Sequence, residues 1–300
     1  MVYTEIKEVG GKKYYYRVKS VRKDGKVAKE RKYLGVDLQK KKLGEAEKEA
    51  DKELMLLENL LSKKEIELLE KIKVDYLKEP KETSHNRYEA FCSLFTHNST
   101  AIEGNTLTLQ ETASLLFEGR APQGKSVREI NEVLNHREAF DYILKYKGDI
   151  NKQLMLGIHK LIAKNTLRED VKSQLGKFRE VQVYIRGTEW LPPKPEEVAK
   201  EIGSLLSWYS KNKKMLHPLI LAAYFHTAFE TVHPFVDGNG RTGRMLMNLI
   251  LRKNNYPMIN IPNKERDNYF KALEEAQIKG NLRLFIEFLI RIMQVADIRF

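Results

Sequence analysis

The sequence predicts a mainly α-helical fold with a small antiparallel β element at its N-terminus. From about Leu43 onward, leucine and isoleucine recur at spacings of three and four residues, which is typical of amphipathic helices. Up to about Leu34 the chain is instead rich in tyrosine, valine and lysine and is divided by glycine turns, which favours strands. One segment of the helical part, Val181–Pro195, begins with alternating apolar and polar residues and predicts a β-hairpin.

The N-terminal β element is predicted over residues 1–38 as about three strands. Gly10-Gly11 separates the first two, and Asp24-Gly25 is a strong hairpin signal before the last. Residues 1–42 contain 14 Lys and Arg and 5 Asp and Glu, a net charge of +9 out of +12 for the chain. Two interpretations stay open: a surface for nucleic acid or an acidic partner, with tyrosines among lysines, or a solvated sheet with lysines guarding its edges.

A helical connector is predicted over residues 39–85. Lys48–Leu61 and Lys64–Tyr76 have helical apolar spacing and could pair as an antiparallel hairpin. Glu79-Pro80 ends the second helix, because proline disfavours helical backbone in the residue before it. Packing positions are expected at Met55, Leu56 and Leu57.

The composition excludes several classes of protein. A hydrophobic fraction of 42% is enough for a sizeable core, but no apolar run reaches the length of a membrane span. Cys92 is the single cysteine, which excludes disulfides within the chain and cysteine-based zinc sites. We therefore expect a cytoplasmic protein without a membrane partner.

The twelve residues from His233 to Arg244 combine residue types that polyphosphate chemistry requires. Glycines let backbone N–H groups approach an anion closely and adopt unusual φ values. An ordinary Asp-Gly-Asn-Gly turn would not require the flanking histidine and the two arginines. The glycines are Gly238, Gly240 and Gly243.

Four side chains in this run have distinct chemical uses. Arg241 and Arg244 are three residues apart, so on a helix they share a face and can hold successive phosphates. Asp237 is a hard oxygen ligand of the kind that Mg²⁺ accepts beside substrate phosphates. His233 can act as a general base near neutral pH.

The run reads HPFVDGNGRTGR and resembles the signature of the Fic family, HPFxDGNGRxGR, at every specified position. This resemblance implies a Fic-fold helical bundle with a β-hairpin flap, forming a catalytic domain over residues 86–300. It implies a protein adenylyltransferase that moves AMP from ATP to a Ser, Thr or Tyr hydroxyl and releases pyrophosphate. The match covers about the last two-thirds of the chain.

The resemblance also implies roles for individual residues. His233 would take the proton from the target hydroxyl, and Asp237 would hold Mg²⁺. Tyr269 or Phe270 would line the adenine pocket, although a core position is an equal expectation. The residues assigned to the phosphates of ATP are Gly238, Asn239, Gly240, Arg241, Gly243 and Arg244.

The predicted hairpin corresponds to the target-docking flap of Fic-like proteins. Val183 and Ile185 alternate with polar or aromatic residues and would present an edge to an extended target peptide, since strand addition tolerates many sequences. Gly176-Lys177-Phe178-Arg179 resembles the family's run-up to the flap. Without the motif downstream, an ordinary surface hairpin would be the simpler interpretation.

A second constellation precedes the motif by more than a hundred residues. Ser99, Glu103 and Gly104 match the Fic inhibitory-helix pattern [ST]xxxE[GN], within a helix expected near 97–105. Ser99 and Glu103 lie on one helical face. The resemblance implies that Glu103 pairs with Arg244 and withdraws a γ-phosphate ligand; the alternative is a helix-terminal capping glutamate.

The sequence leaves several properties open. The target protein is unknown, and modification of the protein itself and a homodimer are both left open. An enzyme of the same fold could remove AMP or use another nucleotide. The alternative of a different class is a nucleic-acid-binding regulator acting through residues 1–42.

Overall fold

A computed structural model describes residues 2–23, 26–54, 57, 60–188 and 190–300, and it describes only the backbone of residues 2, 19–23, 26–30, 49, 51–54 and 279. It divides into two compact units, Met1–Leu60 and Leu61–Phe300. The connector predicted over 39–85 therefore has one helix in each unit. The boundary predicted at residue 86 stays a prediction.

The first unit contains the predicted antiparallel sheet. Its strands are β1 (Val2–Val9), β2 (Lys12–Lys23) and β3 (Lys26–Val36), in the order β1-β2-β3. Gly10 and Gly11 join the first two with φ of 60° and 76°, the left-handed conformation that tight hairpin turns require. The predicted turn at Asp24-Gly25 lies outside the described residues.

Helix α1 (Lys40–Leu54) follows the sheet and begins earlier than predicted. Its Glu47 lies 3.6 Å from the guanidinium of Arg17 on β2, which ties the helix to the sheet. Leu57 is buried as expected, whereas Met55 and Leu56 lie outside the described residues.

Three tyrosines cluster on one face of the sheet. Tyr16 lies directly opposite Tyr33, with ring centroids 5.4 Å apart, and Tyr14 lies 6.4 Å from Tyr33. The Lys7 ammonium is 5.5 Å from the Tyr16 ring centroid. Cross-strand aromatic pairs of this kind stabilise a sheet, so the tyrosines have a structural use. The nucleic-acid interpretation of residues 1–42 stays a prediction.

The regular secondary structure in the described residues of the second unit is helical. Its α-helices are α2 (Lys63–Leu77), α3 (Ser84–Ala101), α4 (Leu109–Ala113), α5 (Val127–Lys145), α6 (Lys152–Ile162), α7 (Pro195–Asn212), α8 (Pro218–Val232), α9 (Asn239–Lys253), α10 (Arg266–Lys279) and α11 (Leu282–Gln294). Short 3₁₀ segments lie at Lys81–Thr83, Glu169–Gln174 and Asn263–Glu265, and a π-helical turn lies at Ser114–Glu118.

Helices α8 and α9 form the centre of this unit. The apolar run that predicts a buried helix over Leu219–Val232 forms α8, with proline at its first position, where the missing N–H costs nothing. Helix α8 packs against α7, α9, α10 and α11, and α9 packs against α3, α5 and α6. The turn between α8 and α9 is therefore held by elements on both sides.

In the described part of the chain, none of the helices combines the length and apolar character that a membrane span requires.

The lowered pKa values of three histidines predict that acid destabilises the protein. Burial lowers the pKa of His159 and His217 to about 4 and that of His226 to about 3. Unfolded histidine titrates near 6.5, so below that pH the unfolded chain binds protons that the folded chain does not. Each of these histidines should therefore lower the free energy of unfolding as the pH falls from about 6.5 toward 4.

His217→Asn tests this, because asparagine can still cap α8 where the His217 ring accepts from the Leu219 amide. Urea unfolding between pH 7 and 4.5 should show a shallower loss of stability in His217→Asn than in the wild type. The exposed His85 gives the control, His85→Asn, whose pH dependence should match the wild type. Equal slopes in all three proteins would contradict the prediction.

Candidate functional site

The loop between α8 and α9 has a single, internally bonded shape. The Asn239 side chain accepts from the Phe235 amide at 2.9 Å and donates to the Phe235 carbonyl at 2.8 Å. The Phe235 ring is buried and stacks on His159 at 3.8 Å between centroids. Gly238 has φ 76°, and a Cβ there would lie 3.1 Å from Ile162. The loop therefore presents the N-terminus of α9 in one fixed orientation, which favours anion binding.

His233 ends α8 in the left-handed conformation, with φ 49°, and its side chain is 21% exposed. Burial lowers the pKa of its imidazole to about 4. The ring is therefore neutral near pH 7 and can accept a proton, as the predicted general base must.

Asp237 lies between two guanidinium groups. Arg128 donates to its Oδ2 at 3.1 Å and Arg241 to its Oδ1 at 3.1 Å. Its side chain is 36% exposed. In the described part of the chain, no cluster of three or more His, Cys, Asp or Glu could hold a metal. One accessible carboxylate fits Mg²⁺, which takes its other ligands from water and substrate phosphates.

Arg241 is the more buried of the two arginines that contact Asp237. Its side chain is 3% exposed and its Nη1 lies 3.6 Å from Glu132 Oε1. Among the described residues, its Nε and Nη1 have no hydrogen-bond partner. These buried donors fit an anion, since guanidinium groups bind phosphate through several N–H groups.

Arg244 is bound by the segment predicted to be inhibitory. Its Nε donates to Ser99 Oγ at 3.0 Å, and its Nη2 donates to the Ser99 carbonyl and to Glu103 Oε1, both at 2.8 Å. Arg244 is 1% exposed, whereas the Glu103 side chain is 32% exposed. Burial acts to lower the pKa of Arg244, but Glu103 and Tyr269 outweigh it and raise that pKa above its ordinary value.

Two glycines of α9 make room for carboxyl groups. A Cβ on Gly240 would lie 2.2 Å from Glu103 Oε1, so the Glu103 carboxylate rests against the start of α9. A Cβ on Gly243 would lie 2.4 Å from Glu230 Oε1 and 2.9 Å from His226 Nδ1. Gly243, which the resemblance assigns to phosphate binding, thus faces buried Glu230 and His226.

Comparison with known protein families identifies the region that contains this site. Residues 149–251, which include α8, the loop and α9, match the Fic/DOC family. The chain carries a Fic domain. The sequence is 36% identical over 200 residues to Protein adenylyltransferase Fic of Nematostella vectensis, a match covering 65% of this chain and 45% of that protein. The chain therefore spans less than half of that relative.

Solved structures give the same fold. Fic-1 of C. elegans superposes with a TM-score of 0.69 at 27% identity, covering 86% of this chain and 76% of that one. A Fic-domain signalling protein of Bacteroides thetaiotaomicron gives a TM-score of 0.70 at 24% identity, over 76% and 93% of the two chains. The predicted Fic fold, with helices and a small N-terminal sheet, is confirmed.

Arg179 is a buried residue of the Fic domain to which sequence reasoning assigned no role. It is 2% exposed, and its guanidinium donates to the carbonyls of His233 at 2.9 Å and Val181 at 3.1 Å, and to that of Pro193. Its own amide donates to the Pro234 carbonyl at 2.9 Å. Arg179 therefore ties the loop that follows it to the residues that set the His233 backbone.

The predicted β-hairpin flap requires a correction. The chain does turn at Arg186-Gly187, but the described residues of Val181–Pro195 form no strand. Side chains join the two arms instead, since Gln182 Nε2 donates to Pro192 O at 3.0 Å. Pro192 and Pro193 have no N–H, so the second arm cannot donate to a backbone ladder there. Val183 and Ile185 are half-buried in this loop, and their docking role stays a prediction.

Tyr269 and Phe270 occupy different environments. Tyr269 is 1% exposed, its hydroxyl lies 2.7 Å from His226 Nε2, and its ring centroid lies 5.8 Å from the Arg244 guanidinium carbon. Tyr269 therefore has the core position that was one of the two expectations. Phe270 is 37% exposed, and a contact with adenine stays a prediction for it.

Removing the Arg179 guanidinium should destabilise the Fic domain and release the loop. Arg179→Met keeps the length of the side chain but leaves buried carbonyls without donors, at about 1–3 kcal/mol each. We expect the free energy of unfolding to fall by about 3 kcal/mol or more, and proteolysis within residues 181–193 to accelerate. Arg186→Met, which changes an exposed arginine of the same loop, is the control and should leave both unchanged. Equal stability of the two variants would contradict this account.

Proposed function

We propose that this protein is a protein adenylyltransferase that transfers AMP from ATP to a Ser, Thr or Tyr hydroxyl of a target protein. The observation that carries the proposal is the partly exposed His233 imidazole, whose pKa burial lowers to about 4, at the start of a loop beside arginine N–H groups that are buried and have no hydrogen-bond partner among the described residues. The relative from Nematostella vectensis, named a protein adenylyltransferase, supports it. The target is a protein of unknown identity.

The reaction assigns one role to each group. His233 Nε2 takes the proton of the target hydroxyl while that oxygen attacks the α-phosphorus of ATP. The bond from the α-phosphorus to the bridging oxygen breaks, and pyrophosphate leaves with the electron pair. The phosphates would be held by Arg241, Arg244 and the N-terminal amides of α9 around Gly238, Asn239 and Gly240, whereas Gly243 faces Glu230 and His226.

Asp237 would hold Mg²⁺ beside these phosphates. The bound ion supplies positive charge that neutralises the phosphate oxygens. Arg128 and Arg241, which flank the Asp237 carboxylate, would hold it in a fixed orientation in the absence of the metal. Asn239 has both polar atoms bonded to Phe235, so its main contribution would be to fix the loop.

We further propose that Glu103 inhibits the reaction. Its carboxylate neutralises Arg244 and lies against Gly240, at the start of the helix that would bind phosphate. A γ-phosphate would have to displace it. Glu103 is partly exposed whereas Arg244 is fully buried. This supports an ion pair that breaks when the Glu103 side chain moves away.

Glu103→Gly should raise AMP transfer to the protein itself or to added targets by roughly 5- to 150-fold, the usual range of such couplings. Incorporation of label from α-labelled ATP with Mg²⁺ measures this. The matched control is Glu103→Gly combined with His233→Ala, which should abolish the signal. Equal incorporation by the wild type and Glu103→Gly would refute inhibition, and signal without His233 would refute the mechanism.

A Fic enzyme that removes AMP or uses another nucleotide is the alternative. Glu103→Gly incubated separately with ATP, GTP, CTP and UTP should add AMP alone, because we assign ATP as the substrate. Intact-mass spectrometry reads the adduct directly. Another nucleotide adduct, or loss of AMP from an adenylylated protein in the wild type, would support the alternative.

The remaining expectations complete the proposal. A docking role for Val183 and Ile185 would place an extended target segment on the loop that Arg179 ties to His233. A cytoplasmic location is supported by the single, buried Cys92. A homodimer is left as an open expectation.

A further inference from the structure

Glu230 is a buried carboxyl group to which the proposed reaction assigns no role. It lies one turn before His233 on α8 and is 5% exposed. Its Oε2 lies 3.8 Å from His233 Nδ1. Among the described residues, Glu230 Oε1 has no hydrogen-bond partner, whereas the His233 ring also faces the Glu230 backbone. Contacts between catalytic groups are often long in the free enzyme and tighten when substrate binds.

The space around Glu230 is shaped to hold a carboxyl group. Gly243 leaves open the position that a side chain would fill, since a Cβ there would approach Glu230 Oε1 to 2.4 Å. The same Cβ would lie 2.9 Å from His226 Nδ1, which also has no hydrogen-bond partner among the described residues. Buried polar groups are normally satisfied, so an unpaired carboxyl group beside an unpaired imidazole nitrogen is unusual.

We propose that Glu230 is a positioning residue that holds the proton of neutral His233 on Nδ1 and leaves Nε2 free to act as the base. This inference rests on the proposed function and deepens it. It assigns to α8 both the base and the group that orients it.

The chemistry of imidazole explains why such a group is needed. Neutral imidazole carries one proton, and a base at Nε2 requires that proton to be on Nδ1. An acceptor at Nδ1 fixes this tautomer and stabilises the imidazolium that forms when Nε2 takes the substrate proton. Glu230 keeps no proton in this step, so the target hydroxyl supplies the only proton that moves.

The protonation state of Glu230 makes the arrangement sensitive to pH. Burial raises the pKa of Glu230 to about 8, against the attraction of Arg244. Below that pH the protonated acid can donate to Nδ1 and favour the opposite tautomer, and above it the carboxylate accepts. The charged or titratable groups that face Glu230 are Glu103, His226, His233, Arg244 and Tyr269.

Kinetics in the Glu103→Gly background give the first test. Glu230→Gln should lower kcat by about 10- to 100-fold, leave KM for ATP unchanged, and abolish the rise in rate between about pH 7 and 9. Glu230→Asp keeps a carboxylate and should retain that pH dependence. Glu138→Gln, which changes an exposed glutamate on α5, is the control and should behave as the parent. An unchanged kcat and pH profile in Glu230→Gln would overturn the proposal.

A second readout does not depend on catalysis. In ¹⁵N-histidine-labelled protein, with His233 assigned through His233→Ala, the Nδ1 and Nε2 shifts report which nitrogen carries the proton. Above pH 8 the wild type should show Nδ1–H, and Glu230→Gln should shift His233 toward Nε2–H. Titration of the wild type alone, in which Nδ1–H should grow as the pH rises through 8, covers the case in which the variant fails to fold.

The outcomes separate the two proposals. If the His233 tautomer changes neither with Glu230→Gln nor with pH, the positioning role is refuted, whether or not the protein transfers AMP. Absence of AMP transfer in the wild type and in Glu103→Gly refutes the proposed function, while the tautomer measurement still decides the role of Glu230.

Discussion

Burial of guanidinium groups is the constraint on which this site depends. Arg179 and Arg241 are each 2% exposed and Arg244 is 1% exposed, and all three surround one helix–loop–helix turn. A guanidinium group cannot lose its charge at any physiological pH, so burying it requires partners on several sides. Those partners come from the end of α3 and the residues after it, from α5 and from the loop before α7, which explains why distant parts of the chain converge on twelve residues.

The partners are of two chemical kinds, side-chain carboxylates and backbone carbonyls. Arg241 and Arg244 face carboxylates at the ends of flexible side chains, and each retains an unpaired N–H among the described residues. A phosphate can replace such a carboxylate. Arg179 faces backbone carbonyls, which cannot leave without unfolding the loop. In the proposed function, Arg241 and Arg244 would exchange a carboxylate for phosphate, whereas Arg179 fixes the backbone.

Local sequence patterns were enough to predict the helices, the glycine-rich turn and the Ser99–Glu103 face, because each depends on neighbours within one or two turns. The sequence does not predict the role of Arg179, because this residue contacts backbone carbonyls. Every residue type has a backbone carbonyl, so the sequence contains no signal for such a contact. Glu230 did leave a signal, a lone acid in the otherwise apolar α8, but only its distance from His233 gives that signal a meaning. The predicted β-hairpin at Val181–Pro195 was wrong because alternating apolar and polar residues predict a strand whether or not the second arm can donate backbone N–H groups.

The absence of a side chain at Gly240 has a genetic consequence. The Glu103 carboxylate lies so close to residue 240 that a Cβ there would be 2.2 Å from its Oε1, and the amides beside it are those assigned to phosphate. A larger residue at 240 would displace the carboxylate and obstruct the nucleotide together. Under the proposed inhibition by Glu103, substitutions that relieve it should therefore arise on the Ser99–Glu103 segment and not in the glycine loop. The proposed regulation would then change without any change in the residues assigned to the reaction.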